Sequence, residues 1–184
     1  LSGNGKRIAR YYHGIPVQLW NLQKGEQLGT VKLKPLAFNA NGSIFAAWYG
    51  LKIALIDVKT NKIIFKFVPP LDEIKQVIFN PDDKILAFIN DNCKILLWNL
   101  ETNCEIITFQ ELASIDSLTF HPTEPILAVG SRDRTIKLWD LETLEEIHSF
   151  KSSFTYLKFS SKGILASSDN SDKIRLWKLT RSSS

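Results

Sequence analysis

Apolar residues occur all along this chain in runs of about half a dozen, and clusters of Asn, Asp, Gly, Pro and Ser separate each run from the next. The runs are rich in β-branched and aromatic residues and too short for helices, so they predict strands joined by tight turns. One phrase recurs among them: Val17-Gln-Leu-Trp-Asn, Lys52-Ile-Ala-Leu-Ile-Asp, Lys94-Ile-Leu-Leu-Trp-Asn, Thr135-Ile-Lys-Leu-Trp-Asp and Lys173-Ile-Arg-Leu-Trp-Lys. Its closing residue falls at 20, 56, 98, 139 and 177, and Phe38, Phe79, Phe120 and Phe159 stand 18 or 19 residues ahead of the last four. Two markers in phase define a repeated unit, and an interval near 40 residues is that of a propeller blade.

Each unit reads as four strands, a to d. In the third these are Ile74 to Phe79, Ile85 to Ile89, Lys94 to Trp98 and Glu105 to Phe109, divided by Asn80-Pro81-Asp82-Asp83, Asn90-Asp91-Asn92 and Asn99 to Asn103. The second runs Leu33 to Phe38, Ile44 to Tyr49, Lys52 to Ile56 and Lys62 to Phe67. The fourth runs Ile115 to Phe120, Ile126 to Gly130, Thr135 to Trp139 and Glu145 to Phe150; the fifth runs Phe154 to Phe159, Ile164 to Ser168 and Lys173 to Trp177. The first unit then lacks strand a and the last lacks strand d. The expected division is a partial blade over 1–32, blades over 33–73, 74–114 and 115–153, a partial blade over 154–179 and a disordered tail over 180–184.

The fold class expected is therefore all-β: a β-propeller of four-stranded antiparallel blades, about five of them here. A blade is apolar on both faces and must be sandwiched between neighbours. An open arc would leave its first and last faces bare, so the chain is expected to be part of a larger, seven-bladed ring or to receive its missing blades from another subunit.

The phrase Gly130-Ser-Arg-Asp-Arg-Thr-Ile-Lys-Leu-Trp-Asp-Leu141 resembles the signature of WD-repeat proteins of the WD40 type. That resemblance implies a hydrogen-bonded network inside the blade, and by position Ser131, Asp133 and Trp139 carry three of its roles. The fourth, a His, is replaced by Glu111; Asn92, Gly50, Gly14 and Ser171 stand at the Asp position of the other units. Within the family, Phe120-His-Pro to Trp139-Asp-Leu-Glu142 resembles a repeat of the non-catalytic, microtubule-associated subunit of katanin. The resemblance also implies that loops b–c and d–a share one face and hold peptides or partner domains. Carried over by position, the contact residues are His13, Tyr49, Asp91, Arg132 and Asn170, with Arg134 close by.

Composition narrows the function. With 44% apolar residues the chain can bury a sizeable core, and no apolar stretch reaches the ~20 residues of a membrane span. The formal charge is +4, but Lys and Arg are interleaved with Asp and Glu in every unit, which favours a solvated surface over a nucleic-acid site. Cys93 and Cys104 fall at opposite ends of a hairpin, too far apart to pair, which fits a reducing, cytoplasmic setting. Gly3-Asn-Gly-Lys6 lacks the spacing of a phosphate loop and reads as an Asn-Gly turn like Asn41-Gly42. His13, His121 and His148 read as ordinary surface histidines with no nucleophile in a recognisable setting, and the pairs Asp72-Glu73 and Asp82-Asp83 point to opposite faces or to water. The sequence thus predicts a non-enzymatic interaction scaffold with no metal or cofactor. Its chief rival is a regulatory or sensory arm of a multidomain protein.

Overall fold

The computed structural model of the chain describes residues 2, 4–12, 15–69, 74–90, 92–111, 113–152, 156–168 and 173–179, which hold strands and no helix. β1 (Arg7–Tyr12), β2 (Ile15–Asn21) and β3 (Glu26–Val31) form a three-stranded sheet. β4 (Lys34–Phe38), β5 (Ile44–Tyr49), β6 (Lys52–Asp57) and β7 (Lys62–Phe67) form a four-stranded one. So do β8 (Ile74–Phe79), β9 (Ile85–Asn90), β10 (Lys94–Asn99) and β11 (Cys104–Gln110). β12 (Ile115–Phe120), β13 (Ile126–Ser131), β14 (Thr135–Asp140) and β15 (Glu146–Lys151) form the fourth sheet. β16 (Tyr156–Phe159), β17 (Ile164–Ser168) and β18 (Ile174–Lys178) form the fifth. In every sheet neighbouring strands follow chain order, so each is a meander closed by local turns.

Those turns repeat as faithfully as the strands. Where strand c ends, the side chains of Asn21, Asp57, Asn99 and Asp140 each accept bonds from backbone amides two or three residues on, such as Thr60 N to Asp57 at 2.7 Å and Glu101 N to Asn99 at 2.8 Å. Each such turn then needs a left-handed residue, and Gly25, Asn61, Asn103 and Leu144 supply it with φ between 55° and 66°. The strand a to b turns use a second device. Asn39, Asn80, His121 and Ser160, one after each marker phenylalanine, and Ser2 before β1 accept amide hydrogen bonds through their side chains.

The repetition extends to irregularities. Between strands c and d the register slips opposite Trp20, Ile56 and Trp139, leaving Leu28, Ile64 and Ile147 without a paired partner. Ile64 and Ile147 are consequently exposed.

The chain divides into two compact units, Leu1–Phe88 with Leu97–Ile106, and Ile89–Leu96 with Ile107–Ser184. In the first unit Val17, Leu19 and Val31 pack on Phe45, Ala47 and Ile56 from the next sheet, and Phe67 of β7 stacks on Trp98 of β10 with centroids 5.1 Å apart. In the second, Ile126, Ala128, Ile136 and Leu138 pack on Leu157, Phe159 and Leu165, with Phe150 of β15 against Trp177 of β18. One rule covers these interfaces. The residue eleven positions after a closing residue (Val31, Phe67, Phe109, Phe150) packs on the closing residue of the next sheet.

His121 corrects the surface-histidine expectation. Its ring is buried edge-on against Phe159, and Nδ1 accepts the amides of Glu124 at 2.9 Å and Thr123 at 3.4 Å. The imidazole does here what Asn39 and Asn80 do in their own turns, so it is a structural acceptor. His148 is exposed on β15, as expected; His13 lies outside the described residues.

Candidate functional site

Loops from strand b to c and the connectors between sheets leave each meander at the same end. Of the residues the sequence places there, His13, Asp91 and Asn170 lie outside the described residues, as do Gly14 and Ser171. Tyr49, Arg132 and Arg134 are described, and they differ in what holds them.

Arg132 is engaged. Its guanidinium sits 3.0 Å from Asp116 of β12, which anchors the side chain back on its own sheet although it stays accessible. Arg134 has φ 69° and serves the turn through its backbone, its amide bonding the Ser131 carbonyl at 3.0 Å and its carbonyl accepting from Ser152. Beside it Asp133 accepts from the amide and hydroxyl of Thr135. Partial burial opposes the Asp133 charge, but those bonds, with help from Ser131 and Lys137, hold its carboxyl below the ordinary value.

The expected Ser131–Asp133–Trp139 network is only partly assembled. Ser131 and Asp133 share a turn, but Nε1 of Trp139 is buried with no acceptor, as it is in Trp20 and Trp98. The register explains this. In the fifth sheet Trp177 Nε1 donates to Ser167 at 3.0 Å, and Ser167 pairs with Arg175 where the fourth sheet pairs Val129 with Lys137. A hydroxyl at 129 is what Trp139 lacks. Glu111, standing where the family has its His, instead sends Oε2 to Lys137 Nζ at 2.6 Å in a largely buried pair. Burial disfavours the Lys137 charge, yet the bond and charge of Glu111, joined by Glu146 at 3.6 Å, carry its pKa above the usual lysine value.

Tyr49 is different. It ends β5, is 43% exposed, and carries Lys66 Nζ 4.3 Å from its ring centroid. Close by in the chain are Leu51, 88% exposed in the b–c turn two residues after Tyr49, and Val68, 58% exposed two residues after Lys66. Lys66 and Val68 flank Phe67, the last residue of β7. An aromatic ring braced by a cation, at an end that also bears bare aliphatic side chains, is suited to grip an extended peptide, because it offers apolar area at low cost in side-chain freedom.

No described helix is long and apolar enough to cross a membrane. The chain matches no curated protein, so the katanin likeness has no relative to support it. Residues 105–140, which run from β11 through β14 and include Glu111, Ser131, Asp133 and Trp139, match the family model of the WD domain, G-beta repeat, and that stretch is a WD40 repeat.

Proposed function

We propose that the chain is a non-catalytic interaction scaffold that binds a protein or peptide at the end of its sheets where the b–c turns emerge. WD40 repeats generally mediate protein–protein interaction, and one is present here. The observation that carries the reading is Tyr49, solvent-facing and braced by Lys66, with Leu51 and Val68 exposed toward the same end. The outer face of β16–β18, where Tyr156, Ile174 and Leu176 are exposed, is read as the seat of one further sheet of the same kind. The test compares partners retained by the wild-type chain and by Tyr49→Ala and Leu51→Ser variants of unchanged thermal stability. Support is a partner lost from both variants; identical recoveries would refute the site. Arg132→Glu is expected to matter less, because Asp116 already holds that guanidinium.

A further inference from the structure

Charge in the first unit is sorted by end. Its described acidic residues, Glu26, Asp57, Asp82, Asp83, Glu101 and Glu105, all stand at the end of the a–b and c–d turns. There Asp57, Asp82, Asp83 and Glu101 are engaged by neighbouring groups, as in Lys84–Glu101 at 3.1 Å and Asn39–Asp83 at 2.7 Å. Toward the opposite end lie Arg10, Lys32, Lys34, Lys52 and Lys66, all exposed. Among the described residues none of these five forms an ion pair. Asp72 and Glu73 lie outside the described residues. The second unit handles charge at its corresponding end otherwise, pairing Arg132 with Asp116 and Lys137 with Glu111.

Unpaired cations on one face raise the local concentration of anions and speed their capture. Toward the same end Tyr49, Leu51 and Val68 are exposed, so Lys32, Lys34, Lys52 and Lys66 share it with bare apolar groups; Arg10, with Tyr12, Pro16 and Gln18, lines a cleft on the face of the first sheet opposite Ala9, Val17 and Leu19. We infer that this end binds an acidic peptide segment of a partner protein whose carboxylates alternate with apolar side chains. Its carboxylates meet Lys32, Lys34, Lys52 and Lys66, and its apolar side chains cover Tyr49, Leu51 and Val68. A purely polyanionic ligand would leave those aliphatic groups bare, which is why a peptide is favoured over a nucleic acid. The inference rests on the binding end proposed above and adds the chemistry of the partner.

The test is fluorescence anisotropy with a labelled peptide of alternating Glu and Leu, beside a single-stranded oligonucleotide of equal charge. Lys52→Glu combined with Lys66→Glu is expected to weaken peptide binding about tenfold or more, since it replaces attraction with repulsion. Lys59→Glu with Lys62→Glu changes net charge equally at the other end and is expected to weaken it far less. Equal losses in both pairs, tighter binding of the oligonucleotide, or no peptide binding at low salt would overturn the inference. If partner capture still depends on Tyr49 while the peptide fails, the acidic chemistry falls and the binding end stands.

Discussion

The ring of Phe109 lies on the indole of Trp139, centroids 4.4 Å apart and planes inclined 23°, and so joins strand d of one sheet to strand c of the next. The same slot is filled by Phe67 on Trp98 and Phe150 on Trp177. Phe109→Ala is expected to cost about 2–3 kcal/mol in denaturant unfolding, below the range for a fully buried Phe because Phe109 is half-buried. Phe109→Leu, which keeps most of the apolar area, is expected to cost less than half as much.

The orphaned indole of Trp139 predicts a gain. Val129→Thr places a hydroxyl where Ser167 serves Trp177, so its usual desolvation cost is expected to be offset by a hydrogen bond of about 1 kcal/mol. The check is a double-mutant cycle with Trp139→Phe. A coupling near 1 kcal/mol is expected, and zero coupling would show that the hydroxyl and indole do not meet.

Lys137 and Glu111 are expected to respond unequally to mutation. Lys137→Met strands a carboxylate that is almost wholly buried and should cost about 3 kcal/mol, whereas Glu111→Gln leaves a lysine that still reaches Glu146 and should cost about half that. Since Lys137 has a raised folded pKa, its contribution is fully present below the ordinary lysine value of 10.5 and is lost as pH rises through the raised one. Asp57 and Asp133 have depressed values, from the Thr60 bonds in one case and from Thr135 overcoming burial in the other. Their contribution is present above 3.8 and lost as pH falls through the lowered values. Chemical denaturation across pH should therefore show the alkaline loss shrink in Lys137→Met, where Lys84 still titrates above the ordinary value, and the acid loss shrink in Asp133→Asn.

How much of this could be read from residues alone depended on whether the signal was local. Strand positions follow from turn chemistry written within a few residues, as in Asn99 and Asp140, and most expected strands lie within a residue or two of the observed ones. The register slips opposite Trp20, Ile56 and Trp139 have no local signature, so the outward turn of Ile64 and Ile147 was illegible. His121 looked like a surface group because its partner, Phe159, is 38 residues away in the next sheet. At the candidate site Tyr49 was legible by position in the repeat. Lys66 was not, since it reaches Tyr49 from a strand two removed in the meander.

Leu144 stands at φ 61° where Gly25, Asn61 and Asn103 occupy the equivalent turns. Leu144→Asn is expected to raise stability by about 0.5–1 kcal/mol, because Asn tolerates the left-handed region that a bulky side chain resists. His121→Asn should likewise keep its turn better than His121→Leu, which has no acceptor for the Glu124 amide. Thermal unfolding of the three variants checks both expectations.

Burial at equivalent positions separates Leu138, 2% exposed and paired with Ala128, from Leu176, 69% exposed and paired with Ala166. Leu138→Ala should cost about 2–4 kcal/mol and Leu176→Ala under about 0.5. Comparable losses would mean that the outer face of β18 is covered in solution.

The most direct test of the binding end is amide chemical-shift mapping of the labelled chain during titration with the Glu and Leu peptide. Shifts gathered at Lys32 to Lys34, Tyr49 to Lys52 and Lys66 to Val68 are the predicted result. Shifts centred on the a–b turns at Asn39 to Ile44 and Asn80 to Lys84, or scattered over both ends alike, would contradict it.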